Sequence, residues 1–350
     1  MSDHPLNLVE RLLVGDRRAL ARLITLVEND ASASGGQAAQ VLAAIYPHTG
    51  RAHLIGVTGA PGSGKSSLVN QMALALRAQG HTVGIVAVDP TSPFTGGAIL
   101  GDRIRMRDLA GDSGVFIRSM ASRGNLGGLA RATADVIRLL DAAGFDVILI
   151  ETVGAGQTEV DIARHAHTVL VVEAPGMGDE VQALKAGILE IADVIVVNKS
   201  DDPRAGHVAR ALRAVLELGS SMPTVVQHHG RLMAIALPSE EEGEHGDGSQ
   251  RWQVPIVQTN ALSGEGVADL LAAVESHRAY LQQSGELARR ERLRVLAELD
   301  RLLCDALTAR LLSRVDRAQV EALVARVAAR EMEPHAAVAQ LIEQEESASL

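Results

Sequence analysis

Apolar residues recur at helical spacing over 6–30, with Gly15-Asp16 as the expected break, and again over about 36–46, where Pro47 and Gly50 mark the way out. From residue 53 the pattern changes. Short runs rich in Val and Ile at 53–59, 82–90, 114–119, 145–152, 167–175, 193–201 and 254–261 predict strands. Between them, amphipathic stretches predict helices at 65–79, about 126–143, about 179–191 and 203–218. Strands that are apolar throughout, alternating with helices, indicate a mostly parallel sheet covered on both faces. Residues 237–251 (LPSEEEGEHGDGSQR) are acidic, Gly-rich and aperiodic; they read as a mobile surface loop, with His245 among acids as a metal-binding alternative. After Gly264 the pattern is helical to the end, with Leu and Val at three- and four-residue steps over 287–314, a capping box at Asp316 and Gln319, and Pro334 as a helix stop. Such a tail has apolar faces to bury on the domain, on the N-terminal helices, or on a second copy; the second copy is the favoured reading. The expected organisation is a helical extension at 1–50, a nucleotide-binding α/β domain at 51–283 and a C-terminal helical dimerisation arm at 284–350.

Composition narrows the function classes. The chain has 350 residues, 47% hydrophobic, and a formal net charge of −10, which argues against non-specific nucleic-acid binding. A single cysteine, Cys304, rules out an intrachain disulfide and a CxxC metal site. Neither a secretory leader nor a membrane-length apolar run is readable, so a cytoplasmic protein is expected. Of 33 basic residues only three are lysines, Lys65, Lys185 and Lys199. Where arginine serves every general purpose, a retained lysine points to a need for a compact ammonium.

Two of those lysines lie in motifs. Gly59–Ser66 (GAPGSGKS) matches G-x-x-x-x-G-K-[ST] between a predicted strand and helix. Gly59, Ala60, Pro61, Gly62, Ser63 and Gly64 would wrap the phosphates, with backbone N–H groups from all of them but the proline, Lys65 would reach the β/γ-phosphates, Ser66 would ligate Mg²⁺ and Ser67 would join them in holding the nucleotide. Asn198-Lys199-Ser200-Asp201 follows a Val/Ile strand. There the Asp201 carboxylate can accept from both donors of guanine, and Lys199 can lay its stem over the base. Asn260, Ala261 and Leu262 fit a loop whose backbone reads the guanine oxygen. Glu151 in ETVG (151–154) stands where most GTPases have Asp, so a water-mediated or altered Mg²⁺ contact is expected. Gln157 comes two residues later than the usual water-orienting glutamine, which predicts slow unassisted hydrolysis; a plain surface residue is the other reading. Asp89 and Asp102 bound a polar segment (89–106) and are candidate Mg²⁺-shell residues, Asp102 alternatively a helix cap, while Arg105 and Arg107 read better as surface ion pairs. The segment 175–187 holds Asp179, Gln182 and Lys185, as a nucleotide-sensing element or simply a solvated helix start.

Together these motifs resemble one family, the MeaB/ArgK GTPases, which includes the human methylmalonic aciduria type A protein. The likeness is carried by GAPGSGKSS, DPTSPFTGGAILGDRIRM, FIRSMASRGNLGGLA, ETVGAGQTEVDIA, GDEVQALKAGILEIADVIVVNKSD and the pair Trp252 and Pro255, covering nearly all of 51–262. The sequence departs from the family at Met120-Ala121, where Pro-Ser is usual, and at the 237–251 insertion. The resemblance implies a P-loop fold and a homodimeric, Mg²⁺-dependent GTPase that chaperones adenosylcobalamin-dependent methylmalonyl-CoA mutase. It also implies switch segments at 89–106, 151–164 and 175–187, with Asp179 and Lys185 among their working residues. No Asp-x-His-x-x-Gly pattern is present, so cobalamin is expected to be handled through the partner mutase. Another B12-dependent acyl-CoA mutase remains an alternative partner. A nickel metallochaperone is disfavoured by the lack of a His-rich tract, and a P-loop kinase by the guanine-reading NKSD.

Overall fold

A computed structural model describes residues 4–29, 36–89, 106–109, 111–121, 131–152, 162–176, 188–219, 252–315 and 317–348. The chain opens with α1 (Pro5–Leu13), α2 (Arg17–Asn29) and α3 (Gln37–Ile45). The expected break falls at Gly15-Asp16, where the Asp16 carboxylate caps α2 by accepting from the N–H groups of Arg18 and Ala19 at 2.8 and 3.2 Å. Then follow β1 (His53–Thr58), α4 (Lys65–Ala78), β2 (Val83–Asp89), β3 (Val115–Ala121), α5 (Arg131–Ala142) and β4 (Val147–Thr152). The domain continues with β5 (Thr168–Glu173), β6 (Val194–Val197), α6 (Ala205–Gly219), β7 (Ile256–Gln258) and α7 (Val267–Gln283). Three further helices complete it: α8 (Glu286–Arg314), α9 (Arg317–Ala328) and α10 (Pro334–Ala348).

The strands form one seven-stranded parallel sheet in the order β3-β2-β4-β1-β5-β6-β7. The two-residue period of a strand sorts its side chains between two cores. Ile148, Ile150, Val169, Val171 and Ile195 face one core, shared with the N-terminal helices, α5 and α6. Val147, Leu149, Leu170, Val172 and Val194 face the other, shared with α4 and α7. Both faces are thus covered, as the unbroken apolar runs require. This is a P-loop NTPase fold with helical extensions at both ends. The N-terminal extension is pinned by Asp141 at the end of α5, whose carboxylate accepts from the N–H groups of Gly50, Arg51 and Ala52 at 2.5, 3.1 and 3.0 Å.

Several boundaries differ from the expectation. β7 covers Ile256–Gln258 rather than 254–261, because the chain turns at Asn260 to form a bridge with Glu265. β3 runs on to Ala121. Pro334 does not stop a helix but opens α10, a position where its missing N–H costs nothing. The stop before it is Arg330 in the left-handed region, φ 61°. The expected loop 237–251, Asp316 and the 126–130 and 179–187 parts of two expected helices lie outside the described residues. Among the described residues no helix is long and apolar enough to cross a membrane.

Candidate nucleotide site

Ligands of open parallel sheets bind at the carboxyl ends of the strands, and the predicted residues gather there. The loop from β1 to α4 is shaped by close approaches. A Cβ on Gly59 would stand 2.1 Å from the Val172 carbonyl oxygen, and one on Gly64 would stand 2.3 Å from Nδ2 of Asn198. Both residues also have positive φ, 134° and 91°. The loop delivers the chain into α4 at Lys65, and the first turn of that helix carries no acidic residue. Its unsatisfied N–H groups and partial positive charge suit an anion.

Lys65 is 6% exposed, and its Nζ donates to the carbonyl oxygens of Gly59 and Ala60 at 2.7 and 2.9 Å. The ammonium therefore lies against the loop it would serve. The Ser66 hydroxyl donates to Oε1 of Glu151 at 2.5 Å. Glu151, 1% exposed, is the penultimate residue of β4. The longer side chain of Glu brings its carboxylate into direct contact with the serine. A hydroxyl and a carboxylate side by side are a hard oxygen pair, the donor set that Mg²⁺ prefers. Asp89 ends β2 one register position beyond the Val88–Thr152 pair, so its backbone reaches the same edge of the sheet. Asp102, Gln157, Asp179 and Lys185 lie outside the described residues.

The guanine motif is wired to the phosphate loop by one side chain, Asn198, whose part motif spacing does not separate from that of its neighbours. Asn198 Nδ2 donates to the Ser63 carbonyl at 2.8 Å, while its Oδ1 accepts from the Ala261 N–H at 3.0 Å and the Thr259 hydroxyl at 3.3 Å. Lys199 takes a left-handed backbone, φ 59°, and its Nζ donates to the Gly62 carbonyl at 3.0 Å, so its stem crosses between the two loops. Asn260 Nδ2 donates to Asp201 Oδ1 at 3.0 Å and orients that carboxylate. Asn260 Oδ1 meanwhile accepts from the N–H groups of Leu262 and Ser263 at 2.9 and 3.3 Å, which bends the chain. Leu262 is left 86% exposed. Asp202, next in the chain, is engaged by Arg204, whose guanidinium and N–H hold its carboxyl down at about 2. Paired threonine hydroxyls of Thr58 and Thr152, 3.0 Å apart at the ends of β1 and β4, also border the site. Thr152 lies within ETVG and Thr58 directly before the glycine loop, but motif spacing singles out neither hydroxyl.

A parallel sheet with a glycine loop, a buried lysine and a paired Ser–Glu at the head of α4 defines a P-loop NTPase. The chain belongs to the family of the methylmalonyl Co-A mutase-associated GTPase MeaB, whose model matches residues 20–316. It is 47% identical over 297 residues to a protein of Pyrococcus horikoshii named provisionally as a GTPase, covering 85% of each chain. It is 32% identical over 302 residues to the mouse mitochondrial homolog of the methylmalonic aciduria type A protein, covering 82% of this chain and 67% of that one. Among solved structures, the LAO/AO transport system kinase aligns with a TM-score of 0.69 at 25% identity over 99% of both chains. Fold and family together support GTP binding and hydrolysis in general, and a chaperone or GTP-dependent regulatory role.

Proposed function

We propose that this protein is a cytoplasmic, homodimeric GTPase that chaperones adenosylcobalamin-dependent methylmalonyl-CoA mutase, gating cofactor loading and protecting or reactivating the mutase. The observation that carries the guanine assignment is Asn198, which joins the base-reading loops to the phosphate loop in one hydrogen-bonded unit. Asp201, oriented by Asn260, would accept from the two donors of guanine; adenine presents the wrong pattern and would leave the carboxylate unpaired. Backbone N–H groups of 59–66 would hold the phosphates, with Lys65 leaving its loop carbonyls for the β/γ-phosphate oxygens. Ser66 and Glu151, and by position Asp89, would hold Mg²⁺, which when bound neutralises charge on the phosphates. Gln157, Asp179 and Lys185 complete the reading as the water-positioning and switch residues. Adenosylcobalamin enters only through the mutase.

The mutase partner is supported by the family's description and by the mouse relative. The dimer is supported by α8, whose face turned away from the nucleotide domain is apolar: Leu299 and Leu303 are each 58% exposed. In this reading 51–283 hydrolyses GTP, 1–50 supports it and 284–350 dimerises. The test is GTP turnover with and without the mutase of the same organism, for the wild type and Lys185→Ala. The expected outcome is slow turnover that the mutase accelerates, and a Lys185→Ala variant that binds GTP but does not respond. Turnover indifferent to the mutase, with no association in any nucleotide state, would leave a GTPase whose partner is a different acyl-CoA mutase.

A further inference from the structure

At the amino ends of the strands, opposite the nucleotide site, the described residues bury a polar cluster that GTP chemistry does not use. Asp193, at the entrance to β6, is 5% exposed. Its carboxylate accepts from Arg290 of α8 at 3.1 and 3.2 Å and from the Val169 N–H at 2.8 Å, and it lies 3.2 Å from Nε2 of the fully buried His277 of α7. His277 Nδ1 is 2.9 Å from the Thr168 hydroxyl, which is 2.9 Å from Nε2 of His53. With the Thr168 hydroxyl accepting from His53 and donating to His277 Nδ1, the His277 proton stands on Nε2, 3.2 Å from the Asp193 carboxylate but outside hydrogen-bond geometry. The sole tryptophan, Trp252, donates its indole N–H to the Asp193 carbonyl at 2.8 Å and sits 4.8 Å from the His277 ring.

Two rigid elements connect this cluster to the base-reading loops. β6 lies between Asp193 and Asn198, which stand about 16 Å apart at the rise of a strand, and each of its residues is fully buried. The helix α7 starts directly after the 259–266 turn that touches Asn198 and Asp201, and carries His277 about 15 Å further on at the rise of a helix. After Ser284-Gly285 the chain continues into α8. Both rods therefore have one end at the guanine-reading loops and the other at Asp193 and His277, where Arg290 fastens α8. Densely packed elements of this kind pass on a small shift as a whole rather than absorbing it.

We propose that the Asp193–His277–Arg290 cluster is a joint through which occupancy of the guanine site sets how firmly the C-terminal arm is held on the nucleotide domain. This rests on the guanine reading above. A base bound to Asp201 adds a contact to the turn that α7 starts from, so the two ends of the joint share a differential interaction. Linkage is reciprocal: what tightens the arm on guanine binding also tightens guanine binding when the arm is held.

The test is hydrogen exchange of residues 286–298 in the full-length protein, with and without GDP, alongside Trp252 fluorescence and GDP affinity by calorimetry. In the wild type, GDP should slow exchange in this segment at least about fivefold, the lower range of measured couplings, and change Trp252 emission. Arg290→Met should abolish both responses while still binding GDP. Asp193→Asn, which keeps the shape but removes the negative charge that Arg290 pairs with, should weaken them. GDP binding with no change in exchange at 286–298 overturns the joint alone; failure to bind GDP overturns the guanine reading and the joint with it. A response in Arg290→Met equal to that of the wild type also overturns it.

Discussion

Residue by residue, the nucleotide site is held together by substitutions it cannot accept. Gly64 has a positive φ, and its missing Cβ makes room for the Asn198 amide. Gly80 has the same φ of 91° but nothing within 4 Å of where a Cβ would stand. The pair separates backbone strain from crowding. Gly80→Ala should cost about 1 kcal/mol of stability for the left-handed backbone and leave nucleotide binding unchanged. Gly64→Ala carries the same strain and in addition pushes Asn198 off the Ser63 carbonyl, unfastening the base loop from the phosphate loop. It should cost about 2–4 kcal/mol of stability and weaken GDP at least about tenfold, roughly one lost charge-free hydrogen bond plus its buried partner. Thermal unfolding and calorimetry on both variants decide it; equal GDP affinity in the two would mean that the Asn198 bridge does not organise the site.

At the scale of elements, α8 reverses the usual arrangement of a surface helix. Arg290, Arg294 and Glu298 recur every fourth residue and face the protein's own body: Arg290 bonds Asp193, Arg294 approaches the Ala166 carbonyl at 3.3 Å, and Glu298 pairs with Arg138 of α5. Half a turn round the helix, Leu296, Leu299, Leu303 and Leu307 point away and are exposed. A helix that spends its charges inward and its leucines outward has an apolar stripe still to cover. On the dimer proposed above, Leu303→Asp should give a monomer and change stability of the isolated domain little, because the leucine is already solvent-facing; sedimentation or light scattering at two concentrations reads the result. A variant that stays dimeric would move the interface elsewhere. The sequence showed leucines at helical spacing here, and so a partner-seeking helix, but it did not show which side the domain takes. Arginine and leucine are both frequent along α8, and only the positions of Asp193, Ala166 and Arg138, 97 to 160 residues upstream of their partners in the chain, settle the orientation. The strands, the glycine loop and the separate motifs of Ser66 and Glu151 were legible because strand period and motif spacing are local properties; the direct contact of these two residues, 85 apart in the chain, was not. The Asn198 bridge joins residues 135 apart in sequence, and the histidine cluster joins 53 to 277; no local period carries either.

Taken as a whole, the molecule places its buried histidines at the amino ends of the strands, far from the phosphate loop, and this sets its response to acid. Burial, helped by nearby arginines, pushes His53 and His167 down to about 3 and His165 to about 4. His53 is 3% exposed, whereas His165 and His167 keep part of their surface in water, so the largest share falls to His53. A histidine whose folded pKa lies below its unfolded value of about 6.5 resists protonation only while folded. As pH falls through the unfolded value, the unfolded chain takes up protons that the folded chain refuses, and stability drops until the folded pKa is reached. Asp193 acts lower on the scale. Burial works to raise its pKa, but His277 and Arg290 outweigh it and hold the carboxyl below the ordinary value, so its contribution is kept above about pH 4 and lost as pH falls through its folded pKa. Between pH 7 and 5 these three histidines therefore act before Asp193 does. Each is worth at most about 2 kcal/mol over that interval, on the order of 5 kcal/mol for the three. Denaturant melts at pH 7, 6 and 5 should show the loss, and His53→Gln, which keeps the hydrogen bond to Thr168 but cannot titrate, should remove at least about a third of the slope. Stability that is flat from pH 7 to 5, or a His53→Gln slope equal to the wild type, would mean that the cluster opens to water well before the fold gives way, and that the arm it fastens is released separately from the rest of the molecule.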